Sequence, residues 1–179
     1  MVRRILRFGV IAGLLVGIPL FGLTVVMTGH PPLRYGLAIG YLTMLVALST
    51  VFVAIKRQRD VGNGGVIRFW PAFGLGLGIS VVAGLFYVLA WEAALAVTHM
   101  DFAAEYARAV LAREEAGGAS PEVLARITTE MDKFKVQYAN PLYRLPMTFA
   151  EIFPVGVLVS LVSAALLRNS RFMSARRPS

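Results

Sequence analysis

The stretch Arg68-Phe69-Trp70-Pro71-Ala72-Phe73-Gly74-Leu75-Gly76-Leu77-Gly78 continues without a charged residue through Tyr87 to Trp91 and ends at Glu92. An uncharged apolar run of that length matches the roughly 30 Å hydrocarbon layer of a bilayer, and aromatic residues near both ends suit its interfaces. It reads as a membrane-spanning helix, so lipid is the solvent against which the other segments are read. Pro71 fits the first helical turn, where no backbone N–H is needed. Gly74, Gly78, Ser80 and Gly84 offer small surfaces that another backbone can approach closely, which places this span inside a bundle.

The remaining chain agrees with that solvent. Its content is 57% hydrophobic and 16% charged, whereas about a quarter of a soluble domain is charged. The net charge of +8 sits in short basic clusters at the ends of apolar runs and not on an aromatic-interleaved face. Nucleic acid is therefore excluded as a partner, and the charge is assigned to topology and anionic lipid. The absence of cysteine excludes disulfides, thiolate zinc sites and cysteine nucleophiles. With His30 and His99 as the sole histidines, no metal site is expected, and no cofactor site either.

Arg3, Arg4 and Arg7 precede a first apolar span at residues 8–27. Its length exceeds the roughly 7 to 15 residues of a signal peptide core, and no small-x-small cleavage site follows before Gly29-His30-Pro31-Pro32, so it reads as uncleaved. Pro19 inside it should kink the helix. A tight turn over residues 30–34 leads to a second, antiparallel span at 35–55. Gly13 with Gly17, and Gly36 with Gly40, repeat the four-residue spacing of close helix approach. Residues 56–68 are polar and basic, with Gly62, Asn63, Gly64 and Gly65, and are expected to form a solvated loop at the headgroups. No G-x-x-x-x-G-K-[ST] motif and no preceding strand support a nucleotide site there.

After the third span, 70–98, charge returns over residues 101–139. Leu124, Ile127, Met131, Phe134 and Tyr138 recur three and four apart, as do Phe102, Tyr106 and Val110 in a preceding segment, each set marking one helical stripe. Gly117-Gly118 ends one helix and Ser120-Pro121-Glu122 caps the next, which predicts an amphipathic helical hairpin. Asn140-Pro141 and Pro146 should break the chain before a fourth span at 147–167 that contains Pro154. A basic tail, 168–179, is expected to be disordered. The fold predicted is all-α: an integral membrane four-helix bundle, one domain over 1–179, with an extramembrane amphipathic helical hairpin between the third and fourth spans.

Basic residues flanking spans mark the cytoplasmic side. Arg3, Arg4, Arg7, Lys56, Arg57, Arg59, Arg68, Arg168, Arg171, Arg176 and Arg177 fall together on one side with Asp60 alone against them. On the other side the basic residues are balanced by Asp101, Glu105, Glu114, Glu115, Glu122, Glu130 and Asp132. Both termini are therefore predicted to be cytoplasmic, with the hairpin outside, and each basic group on the inner face can attract anionic headgroups by about 1 kcal/mol.

Several landmarks recur in order at fitting separations: Gly40-Tyr41-Leu42 leading to Lys56 and Asp60; Gly64-Gly65-Val66-Ile67-Arg68-Phe69 followed by Ala72-Phe73 and Gly76; Tyr87 with Trp91; Asn140-Pro141-Leu142; and Thr148-Phe149-Ala150-Glu151-Ile152-Phe153-Pro154-Val155-Gly156. In these the chain resembles the bacterial domain of unknown function 4199 family over nearly its whole length. The resemblance implies a small four-span inner-membrane protein with a charged insert before the last span, and it brings no catalytic residue or ligand. Trp70-Pro71 departs from the small or basic pair of the family pattern.

Glu92 and Glu151 are the acids in or beside spans, and charges placed in lipid are functional candidates by default. Glu92 falls at the outer interface beside Trp91, while Glu151 stays inside the hydrocarbon. If the two met, they would share a proton or a cation. The bland alternative for Glu151 is a boundary acid bonding the backbone freed by Pro154. No Ser-His-Asp spacing, H-E-x-x-H motif or intramembrane aspartate pair supports an enzyme. The sequence thus points to a non-enzymatic scaffold or accessory subunit with a second copy or another membrane protein as partner. The competing reading is a small proton- or cation-coupled transporter or channel using Glu151.

Overall fold

The computed structural model describes residues 1–30 and 35–173. The turn at 31–34 and the end of the basic tail, 174–179, lie outside the described residues. The chain forms α1 (Val2–Met27), α2 (Gly36–Arg57) continued by a π-helical turn (Gln58–Gly62), α3 (Phe69–Thr98), α4 (Phe102–Ala116), α5 (Pro121–Tyr138) and α6 (Pro141–Leu167), with no strand among the described residues.

Four of these are long and apolar enough to cross a membrane, with 26, 27, 30 and 27 residues. At 1.5 Å per residue they measure about 39 to 45 Å, more than the roughly 30 Å hydrocarbon layer, so each tilts or projects. Two begin earlier than their apolar runs suggest. Helix α1 starts at Val2 and includes Arg3, Arg4 and Arg7, since arginine is a good helix former and nothing there interrupts the backbone ladder. Helix α6 starts at Pro141: Asn140 caps it by accepting from the Leu142 N–H at 3.0 Å, and Pro141 occupies the first turn. Pro146 does not break it, because so close to the N-terminus it removes only one backbone bond.

Helix α3 is the centre of the bundle, half of its apolar window being buried against 22% for α1. It packs between α1 and α6, and α2 closes the bundle against all three. Along α1 the stripe Gly9, Gly13, Gly17 meets Val82, Phe86 and Ala90 of α3, two parallel helices in register every four residues. A Cβ added at Gly13 would lie 2.5 Å from the Phe86 Cβ, so only glycine permits this approach. The antiparallel α3–α6 contact pairs Gly76 with Ser160 and Ser80 with Gly156, and each serine hydroxyl donates to the carbonyl four residues back, at 3.0 and 2.7 Å. Gly78 faces Ile5 and Gly84 faces Phe149, whereas Gly40 has no neighbour within 4 Å of a built Cβ and Gly74 meets only the Met1 terminus at 4.0 Å. Four-residue spacing alone does not bring a helix to Gly40; that side of α2, with Gly36, borders a cavity.

The hairpin forms with its expected caps. Asp101 accepts from the Ala104 N–H at 3.0 Å, Ser120 accepts from the Val123 N–H at 3.4 Å, and Gly118 takes the left-handed conformation at φ 78°. The stripe from Leu124 to Tyr138 turns toward α4, while Arg126, Glu130, Lys133, Val136 and Gln137 are exposed.

The region 56–68 departs from the expected solvated loop. The helix runs on as a π turn to Gly62, and Arg59 inside it has no solvent exposure at all. Its partners are the Phe172 and Met173 carbonyls, so residues 168–173 of the tail fold back against this turn.

Candidate functional site

At the hairpin end, three elements converge on one polar and aromatic cluster. Trp91 and Glu92 sit one turn beyond Tyr87 on α3, Tyr138 ends α5, and Arg144 lies in the first turn of α6, held near Tyr138 by the short Ala139-Asn140 link. The Arg144 guanidinium grips Glu92 with two parallel bonds, Nε to Oε1 and Nη2 to Oε2, both at 2.6 Å. Its third arm donates to the Tyr138 carbonyl at 3.2 Å, and its plane lies 5.7 Å from the Tyr138 ring centre. This fork-to-fork geometry is the strongest form of an arginine–carboxylate pair.

Tyr138 is buried, and burial pushes its phenol up to about 12. It therefore stays protonated at neutral pH, and its oxygen accepts from the Trp91 indole N–H at 2.7 Å. Phe102 packs edge-on to Trp91 at 5.1 Å and against Tyr138 at 5.3 Å, and Phe134 joins Tyr106 to Tyr138. The amphipathic stripes of the hairpin thus continue into the end of α3 and fix α4 and α5 to the bundle.

Glu151 lies elsewhere in the hydrogen-bond pattern. It accepts from the Tyr87 hydroxyl at 3.1 Å and has no cationic partner among the described residues. Arg144, which could have neutralised it, is committed to Glu92. The two acids have separate partners, and Glu151 bonds a side chain of α3 in place of the backbone near Pro154. The residue is exposed and lines a cavity of about 350 Å³ with Gly40, Tyr41, Met44, Tyr87 and Trp91. Among the described residues no group of three His, Asp or Glu side chains could hold a metal ion.

The second cluster is at the opposite end. Arg59 donates to the Phe172 and Met173 carbonyls, both at 2.8 Å, and to Asp60 at 2.7 Å, and Asp60 also accepts from Lys56 at 2.6 Å. Arg4 of α1 donates to the Gln58 side chain, which ties the first helix to the same turn. Nothing in a polar, glycine-containing stretch signals a buried arginine, because the two carbonyls that enclose it lie more than a hundred residues away. Only the contact with the tail distinguishes Arg59 from the other basic residues of that end.

Arg144→Gln is expected to lower stability by about 1 to 3 kcal/mol, below the cost of breaking a fully buried pair because Glu92 keeps some access to solvent. Thermal unfolding in detergent measures this, and faster proteolysis at Gly117-Gly118 should accompany it as the hairpin loosens. Unchanged melting and cleavage would mean that the aromatic contacts alone hold the hairpin.

A family model described as Protein of unknown function (DUF4199) matches residues 7–169, which takes in nearly all of the four apolar helices and the whole cluster at the hairpin end. Neither the curated proteins nor the solved structures contain a match to the chain.

Proposed function

Since the chain belongs to the DUF4199 family, whose function is unknown, we propose a role for it from its own geometry: a multi-pass bacterial inner-membrane protein that serves as a non-enzymatic scaffold or accessory subunit. In this reading both termini are cytoplasmic and the hairpin projects outside, in accord with the distribution of arginine and lysine. The observation that carries it is the contrast between the two faces of the hairpin. One face is clamped to the bundle through Trp91, Phe102, Tyr138 and the Glu92–Arg144 pair. The other presents Arg126, Glu130 and Lys133 around Val136, which is 77% exposed. A rigid, mixed-charge platform with an apolar centre suits docking to another membrane protein or a second copy.

A photoreactive residue at Val136 tests this in native membranes. It should give a discrete crosslinked protein, either a partner or a dimer, that a probe at lipid-facing Leu45 does not give. The absence of any protein adduct at Val136 would overturn the scaffold reading.

The second reading, a small proton- or cation-coupled transporter or channel, is favoured by the exposure of Glu151 to a cavity without a cationic partner. Proton or cation flux in proteoliposomes that Glu151→Gln abolishes, with the fold intact, would support it. Against it, other polar groups of the spans are used within the chain, as Glu92 with Arg144 and Ser80 with Ser160. Four spans also fall short of the repeat architecture of most secondary transporters.

A further inference from the structure

The cavity beside Glu151 is one of three that run together on one side of the bundle. Beside it, sharing Gly40, Met44 and Tyr87, lies an apolar space of about 250 Å³ between α1 and α2, lined also by Val16, Pro19 and Leu20. Toward the hairpin, sharing Gly36, Trp91 and Phe102, a wider space of about 690 Å³ opens beside His30, Glu105 and Arg108. Individually these volumes fall near the roughly 300 to 1,000 Å³ of small-molecule sites, and together they form a cleft with an apolar wall, the Glu151 carboxylate within it, and a mouth bearing Glu105 and Arg108.

Two features say what such a cleft takes. The first is charge: Glu151 lines the cleft, accepts from the Tyr87 hydroxyl, and has no ion-pair partner among the described residues. A carboxylate placed in or near hydrocarbon requires a cation or a proton, and no described basic side chain is paired with this one. The second is position. Glu151 lies ten residues into α6, about 15 Å along it, and its partner Tyr87 lies eleven residues before Thr98, about 16 Å from that end of α3. Because these helices overshoot the roughly 30 Å hydrocarbon layer, the carboxylate sits within about 10 Å of one membrane interface, within reach of a headgroup that enters a cleft. The apolar part between α1 and α2 lies level with Tyr87 and gives the carboxylate an apolar flank.

We propose that this cleft binds a bilayer aminophospholipid, with its primary ammonium against the Glu151 carboxylate and the Tyr87 hydroxyl. The ammonium offers three donors to acceptors that have none of their own in excess, and the charge of Glu151 is neutralised by the lipid. An anionic lipid in the same place would set a phosphate against the carboxylate, so the site discriminates by headgroup charge and not by chain.

Two variants separate the parts. Glu151→Gln keeps the shape and removes the charge. Gly40→Leu puts a side chain into the cleft, where a built Cβ meets nothing within 4 Å, so folding is not obstructed. The full-length chain is reconstituted in nanodiscs of equal phosphatidylethanolamine and phosphatidylglycerol, released, and its retained lipid counted by native mass spectrometry, with helicity checked by circular dichroism. The unaltered protein should retain one phosphatidylethanolamine with about a tenfold preference over phosphatidylglycerol, as expected for one charge-assisted contact away from bulk water. Glu151→Gln should abolish the preference, and Gly40→Leu should abolish retention of either lipid. Equal retention of both lipids by the unaltered protein, or phosphatidylethanolamine retention unchanged in both variants, would overturn the proposal.

Discussion

Arg59→Met is expected to be among the most destabilising single substitutions in the chain, with a loss of about 3 to 5 kcal/mol, the cost of removing one partner from a buried ionic network. Arg59 is fully buried and its guanidinium satisfies the Phe172 carbonyl, the Met173 carbonyl and Asp60 at the same time. Methionine fills most of the volume and serves none of the three acceptors. Two carbonyls after the end of α6 are then left without donors, and Asp60 keeps only Lys56. Arg59→Lys should recover a part only, because an ammonium cannot reproduce the planar fork that reaches acceptors on both sides. Thermal unfolding in detergent gives the magnitude, and proteolysis after Leu167 reports release of the tail. A loss under about 1 kcal/mol with an unchanged cleavage pattern would sink the claim that this arginine fastens the C-terminal segment to the π turn.

The second large effect is expected at the crossing of α3 and α6. A Cβ at Gly156 would lie 2.6 Å from the Ser80 Cβ and 2.7 Å from its Oγ, and one at Gly76 would lie 2.8 Å from the Ser160 Cβ. Neither contact involves the far end of a flexible side chain, so the helices themselves would have to separate. Gly156→Leu should therefore cost about 3 kcal/mol or more, at or beyond the upper end of ordinary overpacking. It also pushes apart the Ser80–Ser160 hydroxyl contact at 3.4 Å. Gly156→Ala should cost less, and Ser80→Gly in the same chain should restore a measurable share of that loss, since it removes the atoms that the new methyl meets. If the double variant is no more stable than Gly156→Ala alone, the close approach is not what makes glycine necessary. Gly84→Ala provides a contrast: its nearest neighbour is the edge of the Phe149 ring at 2.5 Å, a group that can rotate away.

The two ends of the bundle are built by different chemistry. At the hairpin end, aromatic rings and one bidentate pair hold α4 and α5 on the end of α3. At the other, a single arginine and a short acid–base cluster close the turn between α2 and α3 over the tail. Each end is fastened by residues far apart in the chain, Glu92 with Arg144 and Arg59 with Phe172. Between them the closest approaches of the long helices are at glycine and serine, around which Ala, Val, Leu and Ile side chains pack, as suits association in a solvent where apolar burial gives no net drive.

Helix existence was legible from residue order alone. An uncharged run such as Phe69–Trp91 can satisfy its backbone in lipid only as a helix, and the stripe Leu124, Ile127, Met131, Phe134, Tyr138 has a period that only a helix places on one face. The caps at Asp101 and Ser120 act over three residues and so are local as well. Position in the bundle was legible for α3, whose small residues and lack of charge leave no face that must meet water. What residue order could not supply was the choice among equivalent partners. Gly40 and Gly78 look alike in the chain, yet one borders a cavity and the other meets Ile5, because only the crossing of two helices decides which small residue is covered. Arg59 looks like its neighbours Arg57 and Arg68, yet it alone is enclosed, since burial depends on a tail that returns from more than a hundred residues away. Depth along the spans already favours Glu151 over Glu92, but only the folded chain shows Arg144 reaching Glu92 and leaving Glu151 beside a cleft. Local order and the demand that backbone groups be satisfied in lipid determine where the helices lie along the chain; long-range packing, in which a side chain is assigned its partner by the three-dimensional meeting of helices, decides what each polar group does.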